Sequence, residues 1–187
     1  MEKAQARREA GERVAAISAE ERLAKSRRIA AALLAVPEFA AARVVMLYAS
    51  MADEVDTRPV IETALSLGKM VVLPKVLSRG EMVACPVACA GELSPGAYGI
   101  LEPAGKATLD ASAIDFCLVP ARAFDRSGVR LGRGAGYYDR FMATAGFRAF
   151  RCGVAFNEQI VPSLHREPHD LPVQLIVTDS ELILPQE

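Results

Sequence analysis

Between Leu118 and Ala145 the chain reads LVPARAFDRSGVRLGRGAGYYDRFMATA, a block in which glycines alternate with other residues just ahead of a tyrosine pair. Glycines stand at 132, 134 and 136, and positions 122–151 hold seven arginines and no lysine against only Asp125 and Asp139. Glycine lets backbone N–H groups approach an anion closely, and a guanidinium grips two phosphate oxygens at once. A loop of this kind leading into a helix start suits a polyphosphate. Two familiar phosphate loops are excluded, because there is no G-x-x-x-x-G-K-[ST] and G-R-G-A-G has G-x-G-x-G spacing rather than that of the dinucleotide fingerprint. Alternating glycines alone also mark turns and bulges. Arg130, Arg133 and Arg140 move the reading toward anion binding. The preceding FDRSG (124–128) has the composition of a turn that folds the strand end back over the site.

Other residues join this block as candidates. Asp139 has two readings, an ion pair with Arg133 or Arg140 at the first turn of a helix, or a hard oxygen ligand for a metal that bridges nucleotide phosphates. Asp170, in a loop ahead of a strand, is a candidate second carboxylate. His165 and His169 are either acid–base groups or solvent-facing loop residues. Lys3 and Arg7, at i and i+4, share one face of an N-terminal helix, which by pattern alone reads as a solvated face. The polar stretch SMADEVDTRP brings Asp53, Glu54 and Asp56 together. Cys85, Cys89, Cys117 and Cys152 form no C-x-x-C pair, and no further ligand at metal spacing completes Cys85 and Cys89, so they read as buried reduced thiols rather than a zinc site.

The elements that must position these groups follow from apolar periodicity. A helix is predicted over 2–17 and a second from the Ser18–Glu21 capping box to about Val36, stopped by Pro37. Arg43–Ala49 and Met70–Leu73 read as buried strands flanking a helix capped by Asp56 or Thr57 and ended by Gly68, a βαβ unit whose polar loop lies at a strand's carboxyl end. Met82–Val87 is a further candidate strand, and 92–103 reads as a turn-rich surface connection. Strands at 114–119, 151–156 and 173–178, a helix over 137–145 and a loop at 162–172 complete the alternation. The expected fold class is α/β, a three-layer α/β/α sandwich with a mostly parallel open sheet, formed by residues 1–187 as one domain.

With 187 residues and a formal net charge of −1, the positive charge is local. That argues for a small anionic ligand and against nucleic acid. The N-terminus is charged from residue 2, and no apolar run nears the roughly 20 residues of a membrane span. A cytoplasmic monomer with no membrane partner is the expectation.

AFDRSGVRLGRGAGYYDRF (123–141) resembles, nearly end to end, the signature of the 5-formyltetrahydrofolate cyclo-ligase (methenyltetrahydrofolate synthetase) family. Lys3–Arg7, SMADEVDT (50–57), LEP (101–103) and HD (169–170) stand in the matching order. The resemblance implies an enzyme that uses ATP and Mg²⁺ to close 5-formyltetrahydrofolate into 5,10-methenyltetrahydrofolate, releasing ADP and phosphate. It implies that Lys3, Arg7, Arg130, Leu131, Gly132, Arg133, Gly134, Ala135, Gly136, Tyr137 and Tyr138 bind ATP, and that Asp139 and Asp170 hold Mg²⁺. Ser50, Met51 and Glu54 would line the folate site, where Glu54 could accept from the pterin's N–H donors. Arg133–Tyr137 would lie between the two substrates, with Arg133 and Tyr137 in catalytic roles. Ala6, where Leu is common, and PARAFD, where PGLAFD is common, depart from the pattern without removing a charged group. Two other classes compete: a non-catalytic module that binds a nucleotide or phosphate, and a phosphosugar or CoA-ester enzyme, which leaves Glu54, Lys3 and Arg7 without a role.

Overall fold

The computed structural model describes residues 3–96, 99–167 and 170–185, so His169 lies outside the described residues. Its frame is a seven-stranded sheet. In chain order the strands are β1 (Val44–Met46), β2 (Met70–Ser78), β3 (Glu81–Val87), β6 (Phe116–Val119), β9 (Phe150–Ala155), β11 (Leu175–Thr178) and β12 (Leu182–Ile183). Across the sheet the order is β12-β11-β9-β6-β1-β2-β3, parallel from β11 to β2 with antiparallel strands at both edges.

Both faces of this sheet are covered, which is why its inner strands read as unbroken apolar runs. Val45, Leu47, Val71, Leu73, Leu118, Val154 and Val177 face a core shared with three helices, α2 (Ala19–Leu34), α3 (Pro37–Ala41) and α4 (Arg58–Ser66). Met46, Val72, Cys117, Val119 and Ile176 face the other way. That outer layer is thin, built around the six-residue α5 (Tyr137–Met142), with Phe141 and Met142 packed beside Phe124. The expected α/β architecture with its mostly parallel sheet is present.

A second small sheet carries the arginine-rich block. β7 (Ala123–Asp125) pairs antiparallel with β8 (Arg130–Leu131) and parallel with β10 (Ile160–Val161). FDRSG makes the turn between β7 and β8, as its composition predicts. Buried Asp125 organises it, its Oδ1 accepting from Ser127 N at 3.0 Å and Val129 N at 3.1 Å, and its Oδ2 from Leu164 N at 2.8 Å. Against this sheet lies α1 (Lys3–Ala15), whose Ala6, Ala10 and Val14 recur at helical spacing and are buried. Ala6 and Ala10 share a core with Ala123, Val129, Leu131, Val161 and Leu164. Small side chains there let the helix approach the sheet closely.

Several boundaries differ from expectation. Ser18 caps α2 by accepting from Glu21 N. Pro37 does more than stop that helix, since it opens α3 at its first position. Thr57 holds the N-cap position of α4, but its hydroxyl donates to Tyr48 O and makes no cap bond, and Asp56 Oδ1 accepts from Arg58 N at 3.0 Å instead. β2 continues past Leu73 and turns at Gly80 (φ 89°) into a long hairpin with β3. The supposed surface connection at 92–103 contains β4 (Leu93–Pro95) paired with β5 (Leu101–Pro103). The helix after the glycine loop ends at Met142, and the last parallel strand starts at Leu175 and is followed by the antiparallel β12. Cys85, Cys117 and Cys152 are buried free thiols as expected, but Cys89 is exposed, because it lies in the turn between β3 and β4 rather than on a core strand.

Candidate active site

Neighbouring strands β1 and β6 diverge in chain order, β1 continuing to β2 on one side and β6 to β9 on the other. A crevice opens beyond the carboxyl ends of strands that part in this way. Tyr48 and Ala49 follow β1 there, and Pro120 and Ala121 follow β6; all four line a cavity of about 840 Å³, counting its open mouth. Its lining is mostly apolar and aromatic, the usual character of a site for a planar ring. The opposite walls are Pro74, Val76 and Met82 of the β2–β3 hairpin, Ile100 and Glu102, and Gly132, Arg133, Ala135, Gly136, Tyr137 and Tyr138 of the glycine loop. The hairpin is held over that loop by Arg140, whose Nε donates to Gly80 O at 2.8 Å and whose Nη2 donates to Ala135 O. Its guanidinium also lies 5.8 Å from the Tyr137 ring centre.

An acid–arginine network borders the cavity. Arg133 Nη2 donates to Asp53 Oδ1 at 2.8 Å and to Glu54 Oε1 at 3.0 Å, and Arg122 Nη1 pairs with the other Asp53 oxygen. Burial disfavours the Asp53 carboxylate, but the two guanidinium hydrogen bonds outweigh it and hold its pKa below the ordinary value. Arg133 is likewise penalised by burial and over-compensated by Glu54 and Asp53, so it stays charged. Met51 N donates to Glu54 Oε2 at 2.9 Å, and Ser50 and Thr57 exchange N–H to hydroxyl bonds of 3.2 Å. Ser50 and Met51 therefore brace the loop and set Glu54, while Tyr48, Ala49 and Glu54 line the cavity. Burial raises the Tyr48 and Tyr138 phenols well above their usual range, and among the described residues the buried Tyr138 hydroxyl has no hydrogen-bond partner. Both rings offer neutral faces at neutral pH.

The cationic half of the site lies where α1 meets the glycine loop. Arg7 Nε donates to Gly132 O at 2.9 Å, and Lys3 Nζ pairs with Glu167 Oε1 at 2.7 Å and Asp170 Oδ2 at 3.5 Å. Lys3 and Arg7 thus reach two different loops from one helix face. The glycines at 134 (φ 107°) and 136 (φ 67°) take backbone conformations that disfavour side chains. α5 has only six residues, so an anion placed here would meet side chains and loop N–H groups rather than a helix dipole. Leu131 packs into the core beneath α1 and offers the site only its backbone. Its carbonyl accepts from Arg122 N at 2.7 Å, which ties the loop to β7.

The two expected metal ligands are each held by a cation. Asp139 pairs with Arg130, whose side chain is only 6% exposed and whose buried Nε has no partner among the described residues. The ion-pair reading of Asp139 is therefore met by Arg130 rather than by Arg133 or Arg140. Asp170 pairs with Lys3 and accepts from Glu167 N at 2.8 Å. Among the described residues no group of three or more His, Cys, Asp or Glu side chains is arranged as a metal cage. Two separate carboxylates suit Mg²⁺ that is also coordinated by phosphate oxygens, the usual mode for this ion. The wider arginine block does not act as one patch, because exposed Arg126 pairs with Glu181 and Arg151 donates to Pro172 O at 2.8 Å. His165 is exposed on its loop and is not among the residues that line the cavity.

Sequence reasoning missed part of the site. Asp53 holds both Arg122 and Arg133, yet in the sequence it is one of three acids in a polar loop. Val76, Met82, Ile100 and Glu102 form a wall, and the only signals were the apolar residues beyond Leu73 and the LEP triplet.

The match to known proteins spans this whole assembly. The model of the 5-formyltetrahydrofolate cyclo-ligase family matches residues 1–179. The chain belongs to this family. The 5-formyltetrahydrofolate cyclo-ligase of Mus musculus is 28% identical over 187 residues, covering 91% of this chain and 90% of its own. That of Escherichia coli K12 is 30% identical over 172 residues, covering 89% and 94%. The 5,10-methenyltetrahydrofolate synthetase of Aquifex aeolicus superposes with a TM-score of 0.87 at 33% identity, covering all of this chain (100%) and 94% of that one. Among the described residues no helix is long and apolar enough to cross a membrane.

Proposed function

We propose that this cyclo-ligase family member closes 5-formyltetrahydrofolate to 5,10-methenyltetrahydrofolate with ATP, releasing ADP and phosphate. The observation that carries the reading is that one glycine loop forms a wall of the apolar, aromatic-lined cavity and also carries the carbonyl held by Arg7. Folate in the cavity and a triphosphate along Lys3, Arg7 and Arg130 would meet at Arg133, which already faces Glu54.

A formamide oxygen is a poor leaving group. Transfer of the γ-phosphoryl group to that oxygen releases ADP; N10 then attacks the formyl carbon, the C–O bond breaks with loss of phosphate, and the N10 proton passes to solvent. Phosphoryl transfer needs positioning and charge neutralisation more than covalent protein chemistry. Lys3, Arg7, Arg130 and Arg133 supply positive charge, the N–H groups of Gly132, Gly134, Ala135 and Gly136 bind oxygens, and Tyr137 and Tyr138 bound the ring site. Tyr137 and Arg133 lie where the two substrates would touch. Asp139 and Asp170 would hold Mg²⁺, which when bound neutralises phosphate charge. Glu54, set by Met51 N and Arg133, orients that guanidinium toward the cavity, with Ser50 bracing the loop.

Lys3→Ala tests this division of the site. Calorimetric titration of each substrate alone should show ATP affinity lowered several-fold and 5-formyltetrahydrofolate affinity unchanged. Equal losses for both ligands would contradict it. ATP binding by the wild-type protein without folate binding would favour a nucleotide-binding module.

A further inference from the structure

The cavity contains a second carboxylate, and its environment differs from that of Glu54. Both Glu54 oxygens are engaged, Oε1 by Arg133 and Oε2 by Met51 N. Glu102, on β5, is 7% exposed and lines the same cavity from the hairpin side. Among the described residues its side chain accepts one long hydrogen bond, from Val76 N to Oε1 at 3.3 Å. Among the described residues no lysine, arginine or histidine forms an ion pair with it. Lys75, on the adjoining β2, instead donates to Gly105 O at 2.9 Å. The carboxylate sits so close to Gly96 that a Cβ at that position would overlap it, so the fold leaves room for the Glu102 side chain at the expense of one on residue 96.

A buried carboxylate without a cation is costly, and unused acceptor sites add to that cost. A ligand that brings two adjacent N–H donors offsets it through a charge-assisted paired contact. We infer that Glu102 is the specificity-determining acceptor for the amidine-like edge of the substrate ring, the 2-amino group and neighbouring ring N–H of the pterin. This rests on the reading of the cavity as the folate site and adds to it the group that selects the ring. Tyr48, Tyr138, Val76 and Met82 supply the apolar and aromatic surface around it, and Arg133 keeps Glu54 occupied. A site built to accept hydrogen bonds rejects an analogue lacking the donors strongly, because its own polar group is then left unpaired.

The experiment compares 5-formyltetrahydrofolate with its 2-desamino-2-methyl analogue on wild type, Glu102→Gln and Glu102→Ala, by calorimetry without ATP and by steady-state kinetics. Glu102→Gln keeps the side-chain shape and an acceptor for Val76 N, so it guards against loss of folding. Wild type should prefer the natural substrate by about 10- to 100-fold, the range expected for a charged hydrogen bond. Both variants should lose most of that preference through a raised KM and Kd for the natural substrate, with ATP affinity unchanged. Unaltered affinity in the variants, or affinity lost equally for substrate and analogue, overturns the inference while leaving the folate site intact. Failure of wild type to bind 5-formyltetrahydrofolate removes the functional reading and the inference together.

Discussion

Replacing Arg133 with alanine separates what this residue does for the fold from what it does for the reaction. Its side chain is 41% exposed, and its loss leaves Asp53 still paired with Arg122 and Glu54 still bonded to Met51 N. With partners remaining on both carboxylates, the stability cost should be about 1 kcal/mol, between an exposed ion pair and a buried group losing one bond. The catalytic cost should be far larger. Removing one preorganised donor to developing charge commonly lowers kcat by about 10²–10³. The same variant should therefore unfold in urea only slightly earlier than wild type while kcat/KM falls at least a hundredfold. Arg126→Ala is the control, because Arg126 belongs to the same sequence block but is exposed and pairs with Glu181. Its turnover should match wild type. A folded Arg133→Ala protein with kcat/KM within threefold of wild type would refute the assignment of Arg133 to the reacting centre.

Two further outcomes test the scaffold. In Gly153→Ala the new Cβ would lie 2.5 Å from Cε1 and Cζ of the fully buried Phe124, so overpacking should cost about 1–3 kcal/mol, read as an earlier thermal or urea transition. An unchanged transition would mean that the ring has room to move. The lowered pKa of Asp53 makes its contribution present above its unfolded value of about 3.9 and progressively lost as pH falls through the lower folded value. Wild type should therefore exceed Asp53→Asn in stability at pH 7 by no more than about 1 kcal/mol, given the exposure of the pair, and that gap should shrink below about pH 4. A gap independent of pH would show that ionisation of Asp53 is not its source.

How much of this was readable in the sequence depends on distance along the chain. The glycine loop announces itself by residue type and local spacing, whereas Lys3 with Arg7 and Glu54 stand out from other surface charges only through the family resemblance. The frame strands announce themselves by apolar runs buried on both faces. Glu102 and Met82 do not, because the wall they form depends on Arg140 reaching Gly80, a contact between residues 60 positions apart. Nor does the sequence distinguish Arg133 from Arg126, since only the folded chain sets one against Glu54 and the other against Glu181. Asp125 belongs to the same block as Asp139, yet its side-chain hydrogen bonds go to the turn and to Leu164.

The reaction itself can be observed directly. Purified protein is mixed with 5-formyltetrahydrofolate and Mg²⁺, with and without ATP, and absorbance of the methenyl product is followed alongside ADP release. The expected result is a rise that requires ATP, with ADP formed in equal amount to the methenyl product. No rise from folded protein that binds ATP would contradict the proposed cyclisation.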